Sequence, residues 1–393
     1  MLHKIAPPAY VGQLERILDF QQQLLTFACD NKTVLPLDKM QILATFGNDK
    51  GQWLIERLMT SQGKLWKFGE ELQNFISHMQ AHPSEGPKIV AAFENDRQFH
   101  CKLNDPLFEF QYRKLAECAR KYLASLMISF YEKLLKSGFP PCIHGGQPGL
   151  LKRSQLVKGF SDANCNLKVC PGCDGPRTRP GDGDEDEDGD EEGVSDDENE
   201  DKEKDLSDID HFFPKSLYPF FAMHPFNLVP LCTDCNEKVK KQKDPLELGD
   251  QGKEVLSRTF LPFVNPAVPK IEVCVFRNEN GKRIISIHDK EQANSPRVRN
   301  LDRVFKLKRY WNGRLDRMID LMDYQLTEAR KHEKLTKDPV NDEIVKQKLS
   351  EHLADYDNKV GCIEYLLIHG GYAKFALNDL KELADLTAFL LKK

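Results

Sequence analysis

Two Cys-x-x-Cys pairs, Cys170–Cys173 and Cys232–Cys235, lie 58 residues apart in this chain of 393 residues. Together they supply four thiols with the spacing of a closed, tetrahedral zinc site, although the interval is longer than the usual ~15–20 residues. A redox-active pair is the alternative, but that chemistry needs one pair beside a βαβ pattern, not two. We therefore predict a structural Zn²⁺ site formed by Cys170, Cys173, Cys232 and Cys235, which would bring two distant segments together.

An acidic, low-complexity tract accounts for the long interval. Between Gly181 and Asp205 there are 16 acidic residues and 2 lysines, a local charge of −14. Residues 174–207 almost lack apolar side chains, so they cannot bury enough surface to offset the entropy of ordering, and we predict a disordered insert there. The tract is either a solvated spacer or a DNA mimic that covers a nearby site.

The tract also hides the charge of the remaining chain. The net charge is −5 overall, but +9 without the tract. A mildly basic body with one acidic appendage is typical of an enzyme that acts on nucleic acid.

No apolar run approaches the ~18 residues of a membrane span, and the first residues lack the apolar core of a signal peptide. Cysteines outside the two pairs are scattered, which favours a reducing compartment over a disulfide framework. We expect a soluble, cytoplasmic protein of two or three domains without membrane association.

The stretch from Asp208 to Pro245 combines several elements in a fixed order. Asp210-His211 follows a short apolar start, Asn227 opens the apolar run Leu228–Leu231, and Asn236 directly follows the second cysteine pair. This order resembles the HNH motif of the ββα-metal (His-Me finger) endonucleases. The resemblance covers this stretch and the upstream cysteine pair.

Hydrolysis of a phosphodiester needs an activated water and a cation on the phosphate oxygens. Imidazole is suited to take a proton near neutral pH, so His211 is the expected general base. Asp210 and Asn236 offer the hard oxygen ligands that Mg²⁺ (or Mn²⁺) prefers. By analogy with the family, Asn227 would hold the loop that aims the imidazole. Neighbours on a regular strand point to opposite faces, so Asp210 and His211 share a site only where the strand ends or bends.

Basic residues cluster after the motif. Four lysines on the predicted helix and its end are candidate contacts to the DNA backbone, with a solvated face as the alternative: Lys238, Lys240, Lys241 and Lys243. A second basic segment, Arg297 to Arg317, either clamps DNA or forms a surface helix.

The predicted fold class is α+β. A ββα-metal HNH core with a Cys₄ zinc site (151–250, including the insert) is flanked by helical regions over residues 1–150 and 321–393. A β-hairpin and basic helices occupy residues 251–320. The clearest predicted helix, Leu115 to Lys136, carries a wide apolar stripe that is either internal core or a docking surface for a regulatory protein.

We therefore expect a metal-dependent HNH endonuclease that cleaves DNA. Its extra helical regions resemble those of bacterial anti-phage defence or restriction effectors, which are often held in check by a partner; oligomers are possible. The rival hypothesis is a non-catalytic zinc-knuckle module that binds nucleic acid or protein. Such a module would have no need of Asp210, His211 and Asn236.

Overall fold

The structure, a computed structural model, describes residues 1–30, 32–102, 105, 108–146, 148–176, 208–248, 254–291, 295–315, 331 and 339–392. The fold is α+β, with many helices and small antiparallel sheets. The helices before the acidic tract are α1 Val11–Cys29, α2 Lys39–Phe46, α3 Asn48–Leu58, α4 Lys67–Ala81, α5 Gly86–Asp96, α6 Glu117–Ser129, α7 Leu135–Ser137, α8 Pro141–His144 and α9 Arg153–Ala163. After it come α10 Pro296–Phe305, α11 Leu307–Leu315, α12 Asp342–Ala354, α13 Tyr356–Lys359, α14 Leu366–Asn378 and α15 Leu380–Lys392.

In the part of the chain that the structure describes, six short strands form three two-stranded antiparallel sheets: β1 Asp208–His211 with β2 Leu228–Leu231, β3 Glu247–Leu248 with β4 Glu254–Val255, and β5 Ile271–Arg277 with β6 Arg283–Asp289. The predicted hairpin is confirmed: Ile271 faces Asp289 and Arg277 faces Arg283 across β5 and β6. Gly281 adopts φ 73° in its turn, a conformation that glycine tolerates without strain.

The predicted helical character of the first 150 residues is confirmed. In α1 the apolar residues at helical spacing, Leu14, Ile17, Leu18 and Leu25, are buried. Asp38 caps α2 by accepting hydrogen bonds from the backbone N–H groups of Met40 and Gln41.

The helix predicted from Leu115 to Lys136 forms as α6, a π-helical turn at Phe130–Leu134, and α7, which ends at Gly138 with φ 96°. Most of its apolar stripe is buried within this chain, including Leu123, Leu126 and Phe130, which makes the stripe internal core. The buried apolar side chains of the helical regions and of the β1–β2 region belong to one contiguous core.

The expected insert begins later than predicted. Asp174, Gly175 and Pro176 are part of the first cysteine knuckle: the Cys170 N–H donates to Gly175 O, and Pro176 pairs with Val169. Residues 177–207, and with them the acidic tract, lie outside the described residues, as do 316–330 of the predicted basic and C-terminal regions. Among the described helices, none is both long and apolar enough to cross a membrane.

The close packing of α14 on β5 depends on Gly371. A Cβ at this position would lie 2.5 Å from the backbone oxygen of Val273. We predict that Gly371→Ala lowers the free energy of unfolding by about 1–3 kcal/mol through overpacking.

Gly313 in α11 is the matched control, because a Cβ there meets nothing within 4 Å. Gly313→Ala should raise stability by about 0.5–1 kcal/mol. Thermal unfolding of both variants checks the pair. Equal Tm values for Gly371→Ala and wild type would contradict the packing.

Candidate metal centre and polar site

The four patterned cysteines form one cluster. The sulfur atoms of Cys170, Cys173, Cys232 and Cys235 all lie within 4.8 Å of one another. Cys170, Cys173 and Cys235 are buried, and Cys232 is half-buried. This buried Cys₄ group could bind a metal such as zinc, because four thiolates at these separations form a tetrahedral ligand set.

Backbone donors favour the thiolate form of Cys170. The N–H groups of Gly172 and Cys232 each lie 3.4 Å from the Cys170 Sγ. Burial alone would raise the pKa of Cys170, but hydrogen bonds from the three other cysteines and from the Cys232 backbone lower it well below its ordinary value. A metal-binding thiol must lose its proton, so the environment of Cys170 suits a metal ligand.

Side chains remote in sequence hold the first knuckle in place. The Trp311 indole N–H donates to the Cys173 carbonyl oxygen at 2.9 Å. Asp174, with φ 62°, lies 2.7 Å from the His3 Nε2 and accepts a hydrogen bond from the Leu367 N–H. Sequence reasoning missed these supports; the only local signal is the Cys-Asp-Gly turn, since aspartate and glycine tolerate positive φ.

The β1–β2 pair carries the Asp-His element. In this antiparallel pair Asp210 faces Val229 and His211 faces Leu228. The loop that joins the strands is closed by Asn227, whose buried side chain accepts from the Phe213 N–H at 2.7 Å and donates to the carbonyls of Phe213 and Phe221. The Asn227 side chain thus ties together the two ends of this loop.

His211 is buried with its imidazole fixed. Its Nε2 lies 3.0 Å from the Ala222 carbonyl oxygen, which can only accept, so Nε2 carries the proton and Nδ1 keeps a lone pair. The Tyr131 ring packs edge-on against it at 4.4 Å. The pKa of His211 is lowered to about 3, mainly by burial; the Ala222 hydrogen bond opposes this shift, and the charges of Lys215, Lys240 and Arg153 add to it. The imidazole is therefore neutral at pH 7.

The sequence predicted that Lys240 lies on an exposed lysine face. This is wrong, because the Lys240 side chain is 0% exposed. Its ammonium donates to the His211 carbonyl oxygen at 2.7 Å and lies 2.7 Å from the Asp210 Oδ2. A buried cation is stable only when it is paired and hydrogen-bonded, and Asp210 provides that charge. Lys240 thus links the Asp210 side chain to the backbone of the next residue, His211.

The other predicted DNA contacts differ among themselves. Lys238 is 61% exposed and pairs with Asp234, and Lys241 is exposed. Lys243 departs from the prediction, because it is half-buried and donates to the Val304 carbonyl at the end of α10. Burial is the main cause that lowers the pKa of Lys243, and the nearby charges of Lys306, Arg303 and Lys241 lower it further.

Asn236 lies on the helical turn Asp234–Lys240, which is π-helical: the Lys241 N–H bonds to the Asn236 carbonyl. It precedes Lys240 by four residues, so both start from nearly the same face of this turn. Some basic residues between Arg297 and Arg317 make contacts within the protein. Arg303 donates a hydrogen bond to the Leu246 carbonyl, and the Arg314 guanidinium lies 4.2 Å from the centre of the Tyr365 ring.

Comparison with protein-family models, with curated proteins and with solved structures finds no match.

The cysteine cluster makes a direct prediction. Cys235→Ser should lose one bound zinc per chain and unfold at a markedly lower temperature, because binding energy of a structural metal is also folding energy. Metal analysis and thermal unfolding check this. Cys274→Ser, a half-buried cysteine on β5 outside the cluster, is the control and should keep the wild-type metal content. Unchanged zinc in Cys235→Ser would refute the site.

Proposed function

We propose that this protein is a metal-dependent endonuclease of the HNH type that hydrolyses phosphodiester bonds of DNA. The observation that carries the proposal is the arrangement around His211: a neutral, fixed imidazole, with the Asp210 carboxylate next to it in sequence and held by Lys240, on a two-stranded unit closed by Asn227 and followed by the turn that bears Asn236 and Lys240. The sequence resemblance and the local geometry both support this chemistry.

The donor chemistry of this site fits a hard divalent cation such as Mg²⁺. Asp210 contributes a carboxylate whose side chain is 13% exposed, and Asn236 contributes a half-buried amide oxygen. A carboxylate has about four acceptor positions, so it can pair with a lysine and bind a cation at the same time. When bound, the cation would neutralise charge on the scissile phosphate and stabilise the leaving oxygen.

The chain's own residues would do the remaining work. His211 takes the proton of the attacking water at Nδ1, while its Nε2–H remains hydrogen-bonded to the Ala222 carbonyl oxygen and keeps the ring oriented. Asn227 fixes the loop from Phe213 to Phe221 and hence the position of Ala222. Lys240 holds the Asp210 carboxylate and the His211 backbone in one place.

Positive charge near His211 suits a polyanionic substrate. Lys215 and Arg153 both lie close enough to lower the pKa of the imidazole. With the exposed Lys238 and Lys241, they are candidate contacts to the DNA backbone, which is recognised largely through phosphate charge. The wider setting, a cytoplasmic bacterial defence or restriction effector controlled by a protein partner, is a proposal that rests on the resemblance alone.

His211→Ala tests the mechanism. We predict that the variant nicks supercoiled plasmid in Mg²⁺ at least about 100-fold more slowly than wild type, the usual effect of losing a general base. Wild type should be inactive in chelator. His211→Gln preserves the size of the side chain, and the same loss there separates chemistry from packing.

His288→Ala is the control, because this histidine lies on β6 and hydrogen-bonds the Ser286 hydroxyl. It should cleave at the wild-type rate. Nicking by folded His211→Ala and His211→Gln at the control's rate would overturn the mechanism. A wild-type protein that binds DNA but cleaves nothing in Mg²⁺ or Mn²⁺ would favour the non-catalytic zinc-knuckle module.

A further inference from the structure

A second group of metal-ligand residues lies in the helical region, where the ends of three helices meet. His78 is near the end of α4, Glu85 immediately precedes α5, and Cys118 is the second residue of α6. The His78 ring nitrogen, a Glu85 carboxylate oxygen and the Cys118 sulfur lie within 4.8 Å of one another. None of the three belongs to the Cys₄ cluster or to the HNH resemblance.

The contact between His78 and Glu85 is incomplete as it stands. The His78 Nε2 and the Glu85 Oε2 are both buried atoms without a hydrogen-bond partner among the described residues. The two atoms lie 3.5 Å apart, outside the 2.7–3.2 Å range of a good hydrogen bond. The side chains are 9% and 21% exposed, so leaving both atoms unsatisfied has a real cost.

A metal ion between these atoms would account for the spacing. Zinc binds imidazole nitrogen and carboxylate oxygen at about 2.0–2.2 Å, and two such ligands in a tetrahedral set lie roughly 3.3–3.6 Å apart. The observed 3.5 Å falls in that range. The ring of His82 packs against the His78 ring at 4.6 Å and limits how far His78 can turn away.

The three donors also restrict the choice of ion. Imidazole suits Zn²⁺, Cu, Fe and Ni; thiolate selects Cu(I) and Zn²⁺; and carboxylate oxygen is accepted by zinc at short distance. Zinc is the ion that accepts all three. Three protein ligands leave one tetrahedral position for water, and Cys118 is exposed, so ions can exchange here more readily than at the buried cysteine cluster.

We propose that His78, Glu85 and Cys118 form a second, exchangeable Zn²⁺ site that fastens the adjoining ends of α4, α5 and α6. Tyr131, which packs against His211, follows Cys118 by 13 residues along the same helical segment. At 1.5 Å per residue, Cys118 and Tyr131 lie about 20 Å apart along this segment, so the ion takes no part in phosphodiester chemistry. It stabilises the helical region, and its existence does not depend on the nuclease proposal.

Native mass spectrometry of the folded full chain in zinc tests the proposal. We expect two zinc ions on wild type, of which a mild chelator removes one. Cys118→Ser should retain a single zinc. Cys101→Ser replaces another exposed cysteine outside the group and should retain two.

His78→Gln provides a second variant of similar size, and it should also retain a single zinc. After mild chelation, added zinc should raise the Tm of wild type and Cys101→Ser, but not that of Cys118→Ser or His78→Gln. Wild type that saturates at one zinc, or variants that still bind two, would overturn the second site and reduce His78 and Glu85 to an ion pair.

Discussion

The convergence of four cysteine sulfurs is the constraint on which the architecture around the candidate site depends. Cys170 and Cys173 lie on one side of a 58-residue interval and Cys232 and Cys235 on the other, and their sulfurs lie within 4.8 Å of one another. The second pair directly follows β2 and opens the turn that bears Asn236 and Lys240. Fixing the sulfurs therefore fixes the position of that turn relative to the first cysteine knuckle.

Within that frame, one buried ion pair organises the polar residues. Lys240 is buried beneath β1 and joins the Asp210 carboxylate to the His211 carbonyl. Breaking such a pair leaves an uncompensated buried charge, so the pair locks the end of β1 against the helical turn. The imidazole is held from the other direction, by the Ala222 carbonyl and the Tyr131 ring. The helical region thus contributes directly to the environment of His211.

Local signals in the sequence predict much of this. Apolar spacing indicates the α6 segment, Asn280-Gly281 indicates the hairpin, and two Cys-x-x-Cys pairs indicate the cluster, because each depends on residues near one another in the chain. The burial of Lys240 was not predictable: four lysines within six residues look alike, and a π-helical turn decides which of them points inward.

Contacts between distant segments could not be predicted from the sequence either, because they depend on how separate elements pack. His3 meets Asp174, and Trp311 meets Cys173, only because separate elements pack together. His78, Glu85 and Cys118 carry no metal-binding spacing along the chain, so their proximity depends on how α4, α5 and α6 pack. The predicted start of the insert at residue 174 is wrong, because composition alone does not reveal that the Asp174 carboxylate accepts a hydrogen bond from the Leu367 N–H.

The proposed metal-dependent chemistry requires that Asp210 binds a hard divalent cation, and this binding can be measured directly. Mn²⁺ binding to wild type and to Asp210→Asn, measured by electron paramagnetic resonance, isolates this site, because ions held by the acidic tract are common to both proteins. The account predicts one fewer bound Mn²⁺ in Asp210→Asn, with an unchanged content of cysteine-bound zinc. Identical Mn²⁺ binding curves for the two folded proteins would contradict it.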